Sequence, residues 1–300
     1  MNTVGPDGKP PKPGHEDPPA EATVLRMLLG TQLRRLREAA GITPDKAGYE
    51  IRASRSKISR MENGRVGFKV RDVEDLLSLY GVTDEEQRSE VVALAKQSSH
   101  PDWWSRYGDI LPDWFETYLG LESAASTIRC FEIQFVPGLF QTEEYARAVT
   151  RLGHETAPEV EVERRVGLRR NRQDLLTRQA PPRVWAIMDE AVLRRPVGGP
   201  EVMRAQLRHL IEAGRPRHVT IQVVPFAQGG HAGAGGSFSM LRFDEQDLPD
   251  IVYVEQLTSA IYLDQRADVE HYLHVVDQLS GSALTPAATR DFIERVARET

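Results

Sequence analysis

The sequence predicts a multidomain chain in which an all-α N-terminal domain of five short helices is followed by an α+β C-terminal domain. Three observations carry that expectation. Apolar residues recur at three- and four-residue spacing from Val24 to Ala95, and capping residues and glycines cut the pattern into five runs. Beyond residue 103, helical patterns are interspersed with short runs rich in β-branched and aromatic residues, the composition of strands. The chain has 300 residues, enough for two domains with substantial cores.

Residues 1–23 contain six prolines and almost no large apolar side chains, too few to offset the entropy of ordering them, and are expected to form a disordered arm. From Val24 onward, Leu25, Leu28, Leu29, Leu33 and Leu36 define an amphipathic helix. Arg34, Arg35 and Arg37 give it a basic outer face, and Gly41 stops it. Thr43-Pro44-Asp45 reads as an N-cap followed by proline at the first helical position, opening a helix to about Ile51. Ser54 caps the next helix, in which Ile58 and Met61 point inward and Asn63-Gly64 makes the exit. Val70 to Tyr80 places Val73, Leu76, Leu77 and Tyr80 on one face before Gly81, and a fifth helix starts at Thr83 or Asp84 and runs through Ala95. These elements bound a domain over residues 24–97.

A hydrophilic gap from Gln97 to Asp102 marks the boundary, and the pairs Trp103-Trp104 and Trp114-Phe115 restart a core in a second domain spanning 103–300. Helices are expected at about 111–125, 142–152, 159–178, 200–213, 266–280 and 286–298. Strands are expected at 128–135, 183–188, 218–224, 237–243, 251–256 and 260–263, with the last three close enough in sequence to form a meander.

Composition excludes several classes of function. The single cysteine, Cys130, leaves no disulfide framework and no cysteine-rich zinc site. No apolar run approaches the roughly 20 residues of a membrane span, and the N-terminus lacks the apolar core of a secretory signal, so a cytoplasmic protein with no membrane partner is expected. The net charge of −6 argues, as a single number, against a nucleic-acid partner. Residues 24–81 reverse that argument, since they hold twelve Lys/Arg against seven Asp/Glu, a local +5 that leaves −11 for the remainder.

The segment Ser54-Arg55-Ser56-Lys57-Ile58-Ser59-Arg60-Met61-Glu62-Asn63-Gly64 follows a short helix and a tight connection. In a helix-turn-helix the second helix lies in the major groove while the first braces it across the backbone, so the second needs apolar residues on its inner stripe alone. Ile58 and Met61 supply that stripe. Arg55, Ser56, Lys57, Ser59 and Arg60 are left to face base edges, where arginine and lysine reach guanine and serine is versatile. Arginines on a helix are, taken alone, usually a solvated face.

The full constellation resembles the Xre-type, phage-repressor-like helix-turn-helix family over about residues 28–81. The resemblance implies base reading by Arg55 and Ser56, with Lys57, Ser59 and Arg60 nearby, and phosphate contacts from Asn63 and Arg65. Family members often carry glutamine at the start of the bracing helix, where this chain has Pro44; that phosphate contact is then either lost or moved to Lys46.

Further on, Leu121-Glu122-Ser123-Ala124-Ala125, the stretch from Val136 to Ala148, Asp189 to Arg195, and Val224-Pro225-Phe226 resemble, in order, the C-terminal domain of unknown function of WhiJ-like Xre regulators of actinomycetes. The resemblance implies a sequence-specific transcriptional regulator that binds double-stranded operator DNA as a homodimer. Its second domain would sense a small BldB-like companion protein or a small-molecule effector. The alternative is an antitoxin-like protein that binds the small companion and autoregulates its operon.

Other clusters have readings of both kinds. Gln141, Glu144, Tyr145 and Arg147 form either a ligand surface or a cap and packed helix face. The loop with Gly229, Gly230, Gly233, Gly235 and Gly236 around His231 reads as a mobile hairpin connection. Six arginines between Arg164 and Arg178 make either a basic ridge or a solvated face paired with Glu161 and Glu163. His271 and His274, three apart on a helix, are compatible with a metal, and polar side chains facing solvent explain them as well. No motif demands catalysis, and no catalytic residue, metal ligand or cofactor is assigned.

Overall fold

A computed structural model describes residues 22–99, 102–245 and 248–300. The expected N-terminal arm lies outside these residues, apart from its last two positions, which begin the first helix. That helix, α1 (Ala22–Ala39), is followed by α2 (Pro44–Glu50), α3 (Arg55–Glu62), α4 (Val70–Leu79) and α5 (Glu85–Gln97). The capping chemistry is as the sequence implies. Thr43 accepts from the Lys46 amide, Ser54 from the Lys57 amide at 3.2 Å and Asp84 from the Glu86 amide, satisfying donors that a helix start leaves open. Leu29, Leu33, Ala47, Ile58, Met61, Val73, Leu76, Leu77 and Val91 close a separate core for these five helices.

The rest of the chain forms helices around a mixed sheet. After a 3-10 turn at Trp103–Tyr107 come α6 (Asp113–Ala124), β1 (Thr127–Glu132), α7 (Glu143–Gly153), α8 (Glu159–Gln173), β2 (Arg183–Asp189), α9 (Glu190–Arg194), α10 (Pro200–Ala213) and β3 (Val219–Val224). Then follow β4 (Phe238–Arg242), β5 (Ile251–Glu255), β6 (Ala260–Leu263), α11 (Arg266–Ser282) and α12 (Pro286–Glu299). The six described strands run in the order β3-β2-β1-β4-β5-β6. β1, β2 and β3 are parallel and joined by helical crossovers, while β4, β5 and β6 form the expected antiparallel meander. The multidomain class, all-α followed by α+β, is therefore the one observed. β1 stops short of the anticipated residue 135, because its register with β2 ends at the pair Glu132 and Met188 and the chain turns away through Val136 and Pro137.

Side-chain alternation sorts the sheet into two faces. Ile128, Cys130, Val184, Ala186, Leu241 and Tyr253 look toward a core completed by α6, α7, α10 and α12, with Tyr118, Leu121, Tyr145, Leu207 and Ile293 among its members. Phe131, Ile187, Phe238, Met240 and Val252 look the other way, onto Val269, Val276 and Leu279 of α11. Helix α1 does not belong to one core alone. Its first turns place Val24 and Met27 in the sheet-facing core, whereas Leu29 and Leu33 sit in the five-helix core.

Candidate nucleic-acid interface

The reading helix is held from behind by small residues and one buried ion pair. A Cβ on Gly30 of α1 would lie 2.5 Å from the Met61 carbonyl oxygen, so only glycine lets the two helix backbones approach this closely. Two turns later Arg37 reaches across to Glu62, with Nε donating at 2.5 Å and Nη2 at 3.0 Å, and both side chains are more than nine-tenths buried. The bond to Glu62 holds the Arg37 guanidinium above its ordinary pKa against the opposing effect of burial. The sequence places Arg37 on a basic outer face; the structure instead makes it the internal tie between α1 and the end of α3. The connection between α2 and α3 turns at Arg52, whose φ is 54°, a conformation that disfavours a side chain with a Cβ.

Against that support α3 presents one polar stripe. Arg55, Ser56, Ser59 and Arg60 are all exposed, and their i, i+1, i+4, i+5 spacing makes them a single face opposite Ile58 and Met61, which are 1% and 2% exposed. Arg55 lies 3.8 Å from Asp45, a loose exposed pair worth no more than about 1 kcal/mol and easily exchanged for a base edge. Lys57 is not brought into the stripe. It is turned to the flank, where Nζ meets Asp72 of α4 at 3.5 Å. Of the residues expected at phosphates, Lys46 is exposed on the first turn of α2, and Asn63 is half-buried as the C-cap of α3. Arg65 lies 5.4 Å over the ring of Tyr262, a residue of the second domain. Arg52 is exposed in the turn that leads to the Ser54 cap.

The five-helix arrangement with α3 outermost agrees with the match of residues 28–91 to a family described as a helix-turn-helix domain. Residues 115–295 match a second family, described as a domain of unknown function, DUF5753, which spans more than half of the chain. The chain belongs to the DUF5753 family. It is a helix-turn-helix DNA-binding regulator with a DUF5753 domain behind the reading head. No curated protein and no solved structure matches the chain. No described helix is long and apolar enough to cross a membrane.

Within the DUF5753 domain several of the remaining sequence candidates are engaged in packing and pairing. Tyr145 is fully buried and its hydroxyl accepts from the Val136 amide at 3.2 Å; Gln141 donates to the Val136 carbonyl, and Arg147 pairs with Glu163. The arginines of α8 are spent internally: Arg164 on Asp109, Arg165 on Glu161, Arg170 on Glu143, and Arg172 on Glu122 through two 2.8 Å bonds. The expected solvated face holds in part, with Arg165 on Glu161 and Arg170 exposed beside Glu143, but Arg172 and Glu122 are buried together beneath Phe115 and Tyr118. The glycine loop is docked. A Cβ on Gly233 would lie 2.2 Å from Phe131, and His231 accepts from the Gly233 amide through Nδ1 while Nε2 faces Asp189 at 3.3 Å. Burial pushes the Cys130 thiol well above its ordinary pKa, leaving it unreactive.

Proposed function

We propose that this chain is a sequence-specific transcriptional regulator of the WhiJ-like actinomycete group, which works by occupying an operator as a homodimer. The DUF5753 domain senses a companion protein or a small ligand and passes its state to α3. The observation that carries this reading is the exposed Arg55, Ser56, Ser59 and Arg60 stripe on a helix pinned to α1, the element that also enters the DUF5753 core. Two-fold assembly is inferred because one eight-residue helix reads only a few base pairs, and a dimer gains affinity and specificity from two half-sites. Binding rather than catalysis is the inferred activity, supported by the structural employment of the charged groups of α8.

Selection of bound duplexes from a random pool with the full-length protein tests the proposal. The expected product is a two-fold symmetric motif with half-sites about one helical turn apart, bound with an affinity that falls steeply with salt. A single short asymmetric motif would remove the dimer, and no enrichment would remove the regulator. Duplex affinity that appears only with a co-purified small protein would favour the antitoxin-like reading.

A further inference from the structure

A cleft of about 190 Å³ lies between the reading head and the DUF5753 domain and is walled by both. α1 contributes Met27 and Thr31, the exit of α3 contributes Arg65, and the far side is built from Leu121, Ile251, Tyr262 and Asp264. Most charges at its rim are already used, since Arg34 is paired with Glu38 and Glu62 with Arg37. Arg65 and Asp264 are different. Neither has an ion pair among the described residues, and both line the same cleft. The Arg65 guanidinium rests on the face of Tyr262, which leaves its N–H edge available, and Tyr262 is itself fixed by donating its hydroxyl to the Trp114 carbonyl. Met27, Leu121 and Ile251 supply apolar surface beside these two charges.

We propose that this cleft binds a small apolar amino acid or a closely similar zwitterion, its carboxylate on Arg65, its ammonium on Asp264 and its side chain against Met27, Leu121 and Ile251. The charge pattern selects this class. A simple carboxylic acid would meet Arg65 alone and a simple amine Asp264 alone, so each forgoes one of the two charge-assisted contacts that a zwitterion makes. At about 190 Å³ the space lies below the range of drug-sized pockets and suits a small metabolite. The consequence for regulation rests on the DNA-binding reading above. A ligand that holds Arg65 against Tyr262 withdraws a phosphate contact, so ligand and duplex oppose each other, and by linkage each weakens the other equally.

The test is calorimetric titration of the full-length chain with L-leucine, L-methionine and L-phenylalanine, each beside the carboxylic acid and the amine that carry its side chain. At least one of the three amino acids should bind at one site per chain, about tenfold tighter than its own acid or amine. Asp264→Asn should abolish the advantage of the amino acid over the corresponding acid, Arg65→Ala that over the amine, and Thr31→Trp should fill the site. Asp264→Asn is isosteric and partly exposed, so it keeps the experiment readable should Thr31→Trp fail to fold. A saturating amino acid should lower duplex affinity by about fivefold. Absence of saturable binding by all three amino acids overturns the site, as does binding indifferent to both Asp264→Asn and Arg65→Ala. Binding without any change in duplex affinity overturns the competition through Arg65. Duplex affinity without ligand is measured on the same preparation; its loss sinks the regulator and leaves the titration to decide the site on its own.

Discussion

Arg52 is the one residue other than glycine with a positive φ among the described residues, and at 54° it occupies the tightest point of the turn between the two helices of the motif. Glycine adopts this conformation without the steric cost that a Cβ carries. Arg52→Gly is therefore expected to stabilise the protein by about 0.5–1 kcal/mol, read as a higher urea midpoint at unchanged slope. Glu132 presents a second local stress. It stands at the end of β1 on the same face as Cys130, and burial pushes its carboxyl up to about 7, with Glu255 adding to the effect and a hydrogen bond from Ser237 opposing it. A carboxyl raised in the folded state binds its proton more tightly there than in the unfolded chain. Its contribution to stability is thus complete below about pH 4.5 and is lost as pH rises through about 7. Unfolding measured between these values should show stability falling with pH by on the order of 2 kcal/mol, a slope that Glu132→Gln removes.

At the scale of elements, what was legible was local chemistry. Ser54, Thr43 and Asp84 announce helix starts because a capping side chain needs only its own next turn, and the inner stripe of α3 follows from its spacing. The strands of the meander are legible for the same reason, as short runs of β-branched and aromatic residues such as Ile251 to Val254. Long-range pairing was hidden. Nothing in the spacing of Arg34, Arg35 and Arg37 tells which of them meets an acid 25 residues away, yet Arg37 alone is buried with Glu62. The turn of Lys57 toward Asp72 and the burial of Arg172 on Glu122 are contacts of this kind. The α1 to α3 tie is the one to break. Arg37→Ala should cost about 3–5 kcal/mol by leaving the Glu62 carboxylate buried and unpaired, whereas Arg37→Met with Glu62→Leu should recover most of that loss. Thermal unfolding of the three proteins decides it, and a double variant no better than Arg37→Ala contradicts the assignment.

Across the whole molecule, the charge that first argues against DNA is a sum over two unlike parts. A basic head and an acidic body share one helix, and the body carries the charge that the duplex repels. α1 joins them physically. Gly30 admits the backbone of α3 at one point, and Gly120 of α6 approaches Thr23 so closely that a Cβ there would lie 2.0 Å from the Thr23 hydroxyl. The sequence places a boundary near residues 97–102, but it does not reveal that Val24 and Met27 pack into the second core, because leucine-type periodicity names a buried face and not the partner that buries it. Base reading by the exposed stripe of α3 is tested by titration of full-length wild type, Arg55→Ala and Arg60→Ala against the selected operator and a scrambled duplex, at several salt concentrations. Each substitution should cost about 1–3 kcal/mol on the operator and far less on the scrambled duplex. Equal losses on both duplexes, or none on either, would contradict it.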